Sequence, residues 1–262
     1  MKKLLLTLVC CCSFLLLPSC VAVAKKKVVR ATGELVQKNL PYTGIRSIEA
    51  SSRITVELIQ SENESTYLVA PKDILPYLRT QKEGDELIID LKPDIIYRVE
   101  QPIKVVVNTR SIRKLELSGA SEALLNGHFS TDLLNIELSG SSSIKEMDLE
   151  CKSLECELSG ASQLKGSILC TQMEVELSGA SEFVMNGKCD QMKLDSSGAS
   201  SFSGEKLATT TASIEMGGAG NTSVGVTKEL SYDLSGASSL IIFGNPRILK
   251  SEVGGSSSIR FL

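Results

Sequence analysis

The sequence predicts an all-β fold, a single-stranded parallel β-helix that completes one turn about every 20 residues. One glycine-centred phrase, first seen as "LELSGAS" from Leu115, recurs eight times. Apolar and polar residues alternate in the segments that lead into the phrase, which indicates strands with one buried face. The distance between copies leaves no room for a helix. Such units bury their apolar side only by stacking on one another, as in a solenoid.

The period is regular over the second half of the chain. The central glycines of the eight phrases are Gly119, Gly140, Gly160, Gly179, Gly198, Gly218, Gly236 and Gly255. Successive glycines are 21, 20, 19, 19, 20, 18 and 19 residues apart. A glycine at the same place in every turn predicts a corner where φ is positive or where stacked backbones approach closely. We interpret the phrase as a stacking corner; the alternative is a serine-lined ligand face.

Strand residues on either side of the corner have predicted directions. Leu134, Ile136 and Leu138 alternate with Asn135 and Glu137, so the three apolar side chains are expected to point inward. After each corner an apolar residue is expected to point inward again. These residues are Ile144, Leu164, Phe183, Phe202, Leu240 and Ile259.

The N-terminal sequence is typical of an export signal. "MKK" is followed by the apolar run "LLLTLVCCCSFLLL" and then by "LLPSC", which resembles the lipobox of bacterial lipoproteins. Residues 1–20 are therefore predicted to be a lipoprotein signal peptide, with Cys20 as the lipidated residue that anchors the chain in a lipid bilayer. The alternative is ordinary cleavage after "AVA" at residues 22–24, which leaves a soluble secreted chain. Both readings predict export.

The rest of the chain divides into three parts. Residues 21–41 are predicted to be a linker, residues 42–113 an irregular N-terminal β region that caps the solenoid, and residues 114–262 the β-helix of eight repeats. The strands "RITVEL", "ELIIDL" and "IKVVV" in the cap are rich in β-branched residues. Because the last repeat reaches Ile259, near the C-terminus, a bare final rung suggests end-to-end association between copies or another partner there.

Composition argues against nucleic-acid binding. The 262 residues carry a formal net charge of -3 and include no Trp and a single His, His128. The one cluster of basic residues is Lys25 to Lys27, which is too short to form a binding stripe.

A column of carboxylates is predicted on the outside of the solenoid. Every copy has an acidic residue two positions before its opening Ser or Gly: Glu116, Glu137, Glu157, Glu176, Asp195, Glu215, Asp233 and Glu252. Stacked strands would place them about 4.8 Å apart, over about 34 Å in all. At that spacing neighbouring charges repel by about 0.9 kcal/mol in bulk water. Either this is a solvated face that discourages sideways pairing, or it binds calcium or a basic partner. No other cofactor is predicted.

Four cysteines remain once the export signal and Cys20 are set aside. Cys151, Cys170 and Cys189 are 19 residues apart and occupy one repeat position, while Cys156 takes the place of a core residue such as Val175. A stack of buried thiols is the preferred interpretation. One disulfide is the alternative, because residues one rung apart have a Cα spacing within the disulfide range.

The layout resembles a known family. "GIRSIEASSRITVEL", "QPIKVVV" and the "LELSGAS" repeats are similar to the bacterial domain-of-unknown-function family labelled putative auto-transporter adhesin, head GIN domain, from about Tyr42 to the C-terminus. The resemblance implies a right-handed parallel β-helix, often in envelope lipoproteins, and brings no catalytic residues.

We therefore expect a non-enzymatic, adhesin-like outer-membrane lipoprotein, at the cell surface or facing the periplasm, whose flat faces bind a glycan, matrix or cell-wall ligand. A polysaccharide lyase or hydrolase is the first alternative. Against it stand the short, regular repeats, the missing Trp and a column of equal carboxylates, whereas an acid and a base need different environments. A purely structural periplasmic scaffold is the second alternative.

Overall fold

The computed structural model describes residues 26–262 and confirms the predicted fold class. About 70% of the structure is strand, and the strands wind into a β-solenoid of about seven turns with a period of about 20 residues. Predictions for residues 1–25, among them the signal peptide and Cys20, lie outside the described residues. Across residues 26–262, no helix has the length and apolar character needed to span a bilayer.

Within residues 26–262 the fold consists of twenty strands and one short 3-10 helix, Leu75–Tyr77. The cap and the first rungs contain β1 (Lys27–Ala31), β2 (Leu35–Leu40), β3 (Ser47–Ala50), β4 (Ile54–Gln60), β5 (Ser65–Pro71), β6 (Leu78–Glu83), β7 (Glu86–Leu91), β8 (Ile95–Val99), β9 (Ile103–Thr109), β10 (Lys114–Leu117) and β11 (Glu122–Asn126). The later rungs contain β12 (His128–Leu138), β13 (Ser143–Leu158), β14 (Gln163–Leu177), β15 (Glu182–Ser196), β16 (Ser201–Met216), β17 (Asn221–Leu234), β18 (Ser239–Phe243), β19 (Arg247–Val253) and β20 (Ser258–Phe261).

The rungs of the solenoid stack in parallel and in register. Strands β12 to β17 pair with one another in chain order, and each of β13 to β17 runs from one corner to the next. Ile136 lies opposite Cys156, which in turn lies opposite Val175. Each position of the repeat therefore forms a column that runs along the solenoid, and a property shared by all copies becomes a property of one face.

The core is the stack of inward columns. Along β13 buried and exposed residues alternate through the segment that precedes the corner, as the sequence predicts. Of the residues predicted to point inward after the corner, Ile144, Leu164, Phe183, Phe202 and Leu240 are buried. Ile259 is only partly buried, because it lies on β20, the last strand of its column. Stacked rings fill one layer: the centroids of Phe183 and Phe202 are 5.1 Å apart.

The N-terminal rungs do not follow chain order. Strands β3 and β4 lie between the later pair β7 and β9 on one side and β10 and β11 on the other. The solenoid columns thus continue into residues 42–113, so this region is partly stacked rungs as well as a cap. Sequence reasoning missed this arrangement because these strands carry no copy of the glycine phrase.

Antiparallel strands and a small ribbon complete the cap. Strand β5 pairs antiparallel with both β2 and β9, and β6 pairs antiparallel with β7. Between β7 and β9 the chain makes no corner but passes through β8, which pairs parallel with β1 in a separate two-stranded sheet. The ribbon lies where the column of corners ends, since β8 and the corner at Ser52 line one cavity.

Candidate ligand-binding face

The corners require glycine for two reasons. All eight central glycines have φ between 60° and 89°, the left-handed region that L side chains rarely adopt. At Gly179, an added Cβ would lie 2.6 Å from the carbonyl oxygen of Gly160 on the preceding rung. That carbonyl accepts a 2.7 Å hydrogen bond from the amide of Ala180, and the same bond recurs along the solenoid. The glycines are therefore placed as backbone stacking points.

The serines of the phrase have two different roles. The last serine is buried and closes the corner: the hydroxyl of Ser162 donates to the carbonyl of Ser159 at 2.8 Å. The first serine lies nearer the surface, and the hydroxyl of Ser197 donates to the carbonyl of Leu177 on the preceding rung at 3.3 Å. The first serines are the ones that line the outer groove described below.

The predicted carboxylates form one continuous column. Each of the eight lies opposite the next in the register of the parallel strands. The column has a ninth member, Glu49, which lies opposite Glu116. Burial and the nearby charge of Glu116 raise the pKa of Glu49 above its ordinary value. The sequence held a signal for Glu49, since "SIEASS" is a copy of the phrase without its glycine. We call these nine residues the acidic column.

Three lysines in the neighbouring outward position neutralise parts of the acidic column. The ammonium group of Lys114 lies 2.9 Å from Glu116 and 3.1 Å from Glu137. The hydrogen bond to Glu116 raises the pKa of Lys114 to about 12. Lys250 bridges Asp233 and Glu252 in the same manner. Lys193 contacts one member of the column, Asp195, and also Glu174 in the neighbouring outward position. The lysines lie near the two ends and the middle, so the intervening segments keep their negative charge.

A groove follows the acidic column beside the corners. It has a volume of about 620 Å³ and is lined by carboxylates from five rungs together with the first serines of several corners. The carboxylates are Glu157, Glu176, Asp195, Glu215 and Asp233. Charged acceptors and hydroxyls therefore repeat along the groove at the rung spacing of about 4.8 Å.

Two members of the acidic column, together with one neighbouring carboxylate, could coordinate a cation. Carboxylate oxygens of Glu174, Glu176 and Asp195 lie within 4.8 Å of one another. Oxygen ligands suit calcium, but the ammonium group of Lys193 already lies 2.7 Å from Glu174 and 3.0 Å from Asp195. A calcium ion would have to compete with this lysine.

The four cysteines of the described chain are buried free thiols. Cys151 lies opposite Cys170, and Cys170 lies opposite Cys189, so the three form a column. A hydrogen bond between thiols, followed by burial, raises the pKa of Cys151 far above its ordinary value. Cys156 lies deep in the core, where burial raises the pKa of its thiol. Such protonated thiols are poor nucleophiles.

His128, the only histidine, is exposed and lies 3.2 Å from Asp148 and 3.5 Å from Glu150 on the next rung. Nothing in its surroundings distinguishes it from a surface ion pair.

The sequence matches the model of a known protein family. The model of the family described as "Putative auto-transporter adhesin, head GIN domain" matches residues 44–168 and 130–246. The chain belongs to this family. The two overlapping matches show that the head GIN domain pattern extends over both the interlocked N-terminal rungs and the regular repeats.

Solved structures share the fold of this head GIN domain protein. A "putative adhesin" from Parabacteroides distasonis is 16% identical with a TM-score of 0.81, and covers 90% of this chain and 100% of its own. A "putative lipid binding protein" from the same species is 18% identical with a TM-score of 0.79 and the same coverage. A "putative adhesin" from Parabacteroides merdae is 15% identical with a TM-score of 0.80, covering 90% and 99%. No curated protein matches the sequence.

Proposed function

We propose that this protein is an exported, non-enzymatic adhesin-like module that binds its ligand along the acidic column. Membership of the head GIN domain family and the names of the neighbouring structures support an adhesin-like role. The observation that carries the proposal is the register, which places nine carboxylates in one outward column beside a serine-lined groove of about 620 Å³. In this proposal the chain is held at the envelope through a lipid on Cys20.

The regular spacing of hydrogen-bond acceptors along the groove indicates the kind of ligand that it can bind. Acceptors recur every 4.8 Å or so along a rigid stack, so a polymer with repeated hydrogen-bond donors can engage several rungs at once. Such polymers include glycans and cell-wall polysaccharides, whose hydroxyl groups donate to carboxylates. The lysines near the ends and the middle divide the column, which leaves Glu157, Glu176 and Glu215 as the carboxylates best placed to accept hydrogen bonds from a ligand.

The arrangement is less suited to catalysis than to binding. General acid and general base need carboxyl groups in different environments, which shift their pKa values apart. The acidic column instead repeats Glu or Asp at one outward position on rung after rung. The regular corners also supply no long loops with which to build a closed cleft around a scissile bond.

Binding along the acidic column is tested with immobilised cell-wall polysaccharides and mucin. The double variant Glu157→Gln/Glu176→Gln removes two charges from the groove, and we expect it to bind clearly more weakly than the wild type. The matched control is Glu146→Gln/Glu205→Gln, which removes two exposed charges outside the column. Equal binding by both double variants would overturn the role of the acidic column.

Display and lack of catalysis are tested separately. Protease treatment of intact cells that carry a C-terminally tagged copy should remove the tag, with lysed cells as the control. Protection until lysis would contradict surface adhesion and favour a periplasmic role. Release of reducing ends from any polysaccharide in the panel would contradict the non-enzymatic assignment.

A further inference from the structure

A second cavity lies at the junction between the cap and the solenoid. Its volume is about 570 Å³, within the range of small-molecule sites. The corner at Ser52 and Arg53 forms one side, and the residues that follow β8, Glu100 to Pro102, form the other. This cavity shares no residue with the groove along the acidic column.

The backbone around this cavity is strained. Four non-glycine residues of the described chain have positive φ, and three of them line the cavity: Ser52 at 71°, Arg53 at 65° and Ala120 at 67°. Each costs about 1–2 kcal/mol relative to an ordinary conformation. At the regular corners only the glycine has positive φ, so this departure is local. Strain of this kind concentrates at functional sites, where it fixes side chains in position.

The strained corner also changes the hydrogen bonding. Here the amide of Arg53 donates to the carbonyl of Gly119 at 3.2 Å. In the regular solenoid, the corresponding carbonyl accepts from the residue after the glycine of the following rung. Arg53 lines the cavity and is exposed, and its guanidinium group forms no ion pair with the described residues, so it is available to an anion.

A buried acceptor in the cavity lacks a partner. The side-chain oxygen Oε1 of Gln101 is buried and receives no hydrogen bond from the described residues. Nearly all buried polar atoms are paired, so this oxygen is free to accept a hydrogen bond from a donor supplied from outside the chain. Glu100, the preceding residue, also lines the cavity and offers a second acceptor.

The remaining wall is apolar and held in place. Tyr97 and Val99 line the cavity and pack against the core. The hydroxyl of Tyr97 donates to the carbonyl of Lys92 at 2.9 Å, and its ring meets that of Tyr77 edge to face at 6.1 Å. An aromatic ring fixed in this way is a ready surface for the apolar face of a ligand.

We propose that this cavity binds an acidic sugar, a pyranose that carries one carboxylate. Arg53 pairs with the carboxylate, because a guanidinium group binds carboxylates with two parallel hydrogen bonds. Sugar hydroxyls donate to Oε1 of Gln101 and to Glu100, while the apolar face of the ring lies against Tyr97. The other carboxylate of the cavity, Glu122, is neutralised by Lys145 at 2.7 Å. A fatty acid would satisfy Arg53 but would leave Gln101 without a donor.

The site does not depend on the acidic column, so the two proposals can fail separately. The test is a titration of the full mature chain with galacturonic acid. Binding is monitored through the NMR chemical shifts of the backbone amides. We expect saturable shifts at the amides of residues 52–54, 100–101 and 119–120 below about 10 mM, as a site with a Kd of about 1 mM requires. Galactose, which lacks the carboxylate, should bind at least about tenfold more weakly.

Two variants distinguish binding from folding. Arg53→Gln should weaken the binding of galacturonic acid at least about tenfold. Arg260→Gln, on the last rung, should leave this binding unchanged. Gln101→Leu should weaken binding without lowering the melting temperature, since it removes an acceptor that the fold leaves unpaired. Absence of saturable shifts, equal affinity in Arg53→Gln, or the same shifts with octanoate would overturn the proposal.

Discussion

Lys193 donates a 2.7 Å hydrogen bond to Glu174, which lies directly opposite it on the preceding rung. This bond, with the nearby charge of Asp195, raises the pKa of Lys193 above its ordinary value. The lysine therefore stays charged at neutral pH and occupies the space between carboxylates that a metal ion would need.

Removal of this lysine should create a calcium site. Lys193→Gln leaves Glu174, Glu176 and Asp195 without their cation, and we expect a Kd for calcium of about 1 mM, roughly tenfold tighter than the wild type. Isothermal titration calorimetry measures it, and Lys206→Gln, an exposed lysine outside the column, is the matched control. Identical calcium binding by both variants would show that Lys193 does not block the site.

The corner glycines should differ in their tolerance of alanine. Gly179→Ala introduces both positive-φ strain and a contact of 2.6 Å with Gly160, so we expect it to lower the free energy of unfolding by about 3 kcal/mol or more. Gly127 also has positive φ but has no atom within 4 Å of an added Cβ. Gly127→Ala should therefore cost only about 1–2 kcal/mol. Urea unfolding followed by circular dichroism compares the two, and equal losses would contradict the stacking role.

Two glutamates should affect the pH dependence of stability with opposite signs. The pKa of Glu49 is raised, so its ionisation opposes folding, and Glu49→Gln should stabilise the protein at pH 7 by less than about 1 kcal/mol. The gain should disappear as pH falls below the ordinary glutamate pKa of about 4.3, where both states are protonated.

Glu64 is the counterpart. Its pKa is lowered by hydrogen bonds from Arg46 and from the amide of Gly44, so its contribution exists above the unfolded pKa and is lost as pH falls. Glu64→Gln should destabilise the protein at pH 7 by about 1 kcal/mol or more, and the difference should shrink in acid. Thermal unfolding from pH 3 to pH 8 measures both variants. Effects of the same sign would refute this account.

The stacked phenylalanines should be energetically coupled. Phe183→Ala and Phe202→Ala should each cost about 3–5 kcal/mol, since each removes a large side chain from a closed core. Their rings are nearly parallel, with an interplanar angle of 8°. A double-mutant cycle should give a coupling energy of about 0.5–1.5 kcal/mol. The pair Leu164 and Phe202, which are separated by one rung, serves as the control and should show almost none.

The cysteines should be inert until the protein unfolds. All four thiols are buried, and the pKa values of Cys151 and Cys156 are raised, so iodoacetamide at pH 8 should leave the folded protein largely unmodified. After unfolding without reductant, Cys151, Cys156, Cys170 and Cys189 should all be alkylated in mass spectra. A pair that reacts only after reduction would reveal a disulfide.

The repeat made the regular solenoid predictable. Each rung repeats the same local signals, so the strand alternation, the corner at Gly179 and the carboxylate column follow from one copy and its period. Glu49 was missed because its copy of the phrase has Ser52 at the position where each of the other copies has its central glycine.

Features made by distant residues were not predictable. The cap cavity joins Arg53 to Gln101, and no local pattern links two residues so far apart in sequence. The insertion of β3 and β4 between later strands depends on non-local pairing for the same reason. The lysine bridges could not be predicted from the repeat. The outward position that holds Lys114 and Lys193 is occupied by Asn, Glu or Ser in other copies, so it shows no consensus.

The interlocked first rung also governs how the molecule resists tension. At the C-terminal end, rungs can peel away one at a time from the outside, because the last strands, β19 and β20, each pair only with a strand of the preceding rung. Strand β4, by contrast, is bonded to β9 on one side and β11 on the other, so extracting it means shearing two ladders together. If the chain is held by the lipid that we propose on Cys20, the end nearest that anchor is the one expected to yield last under tension.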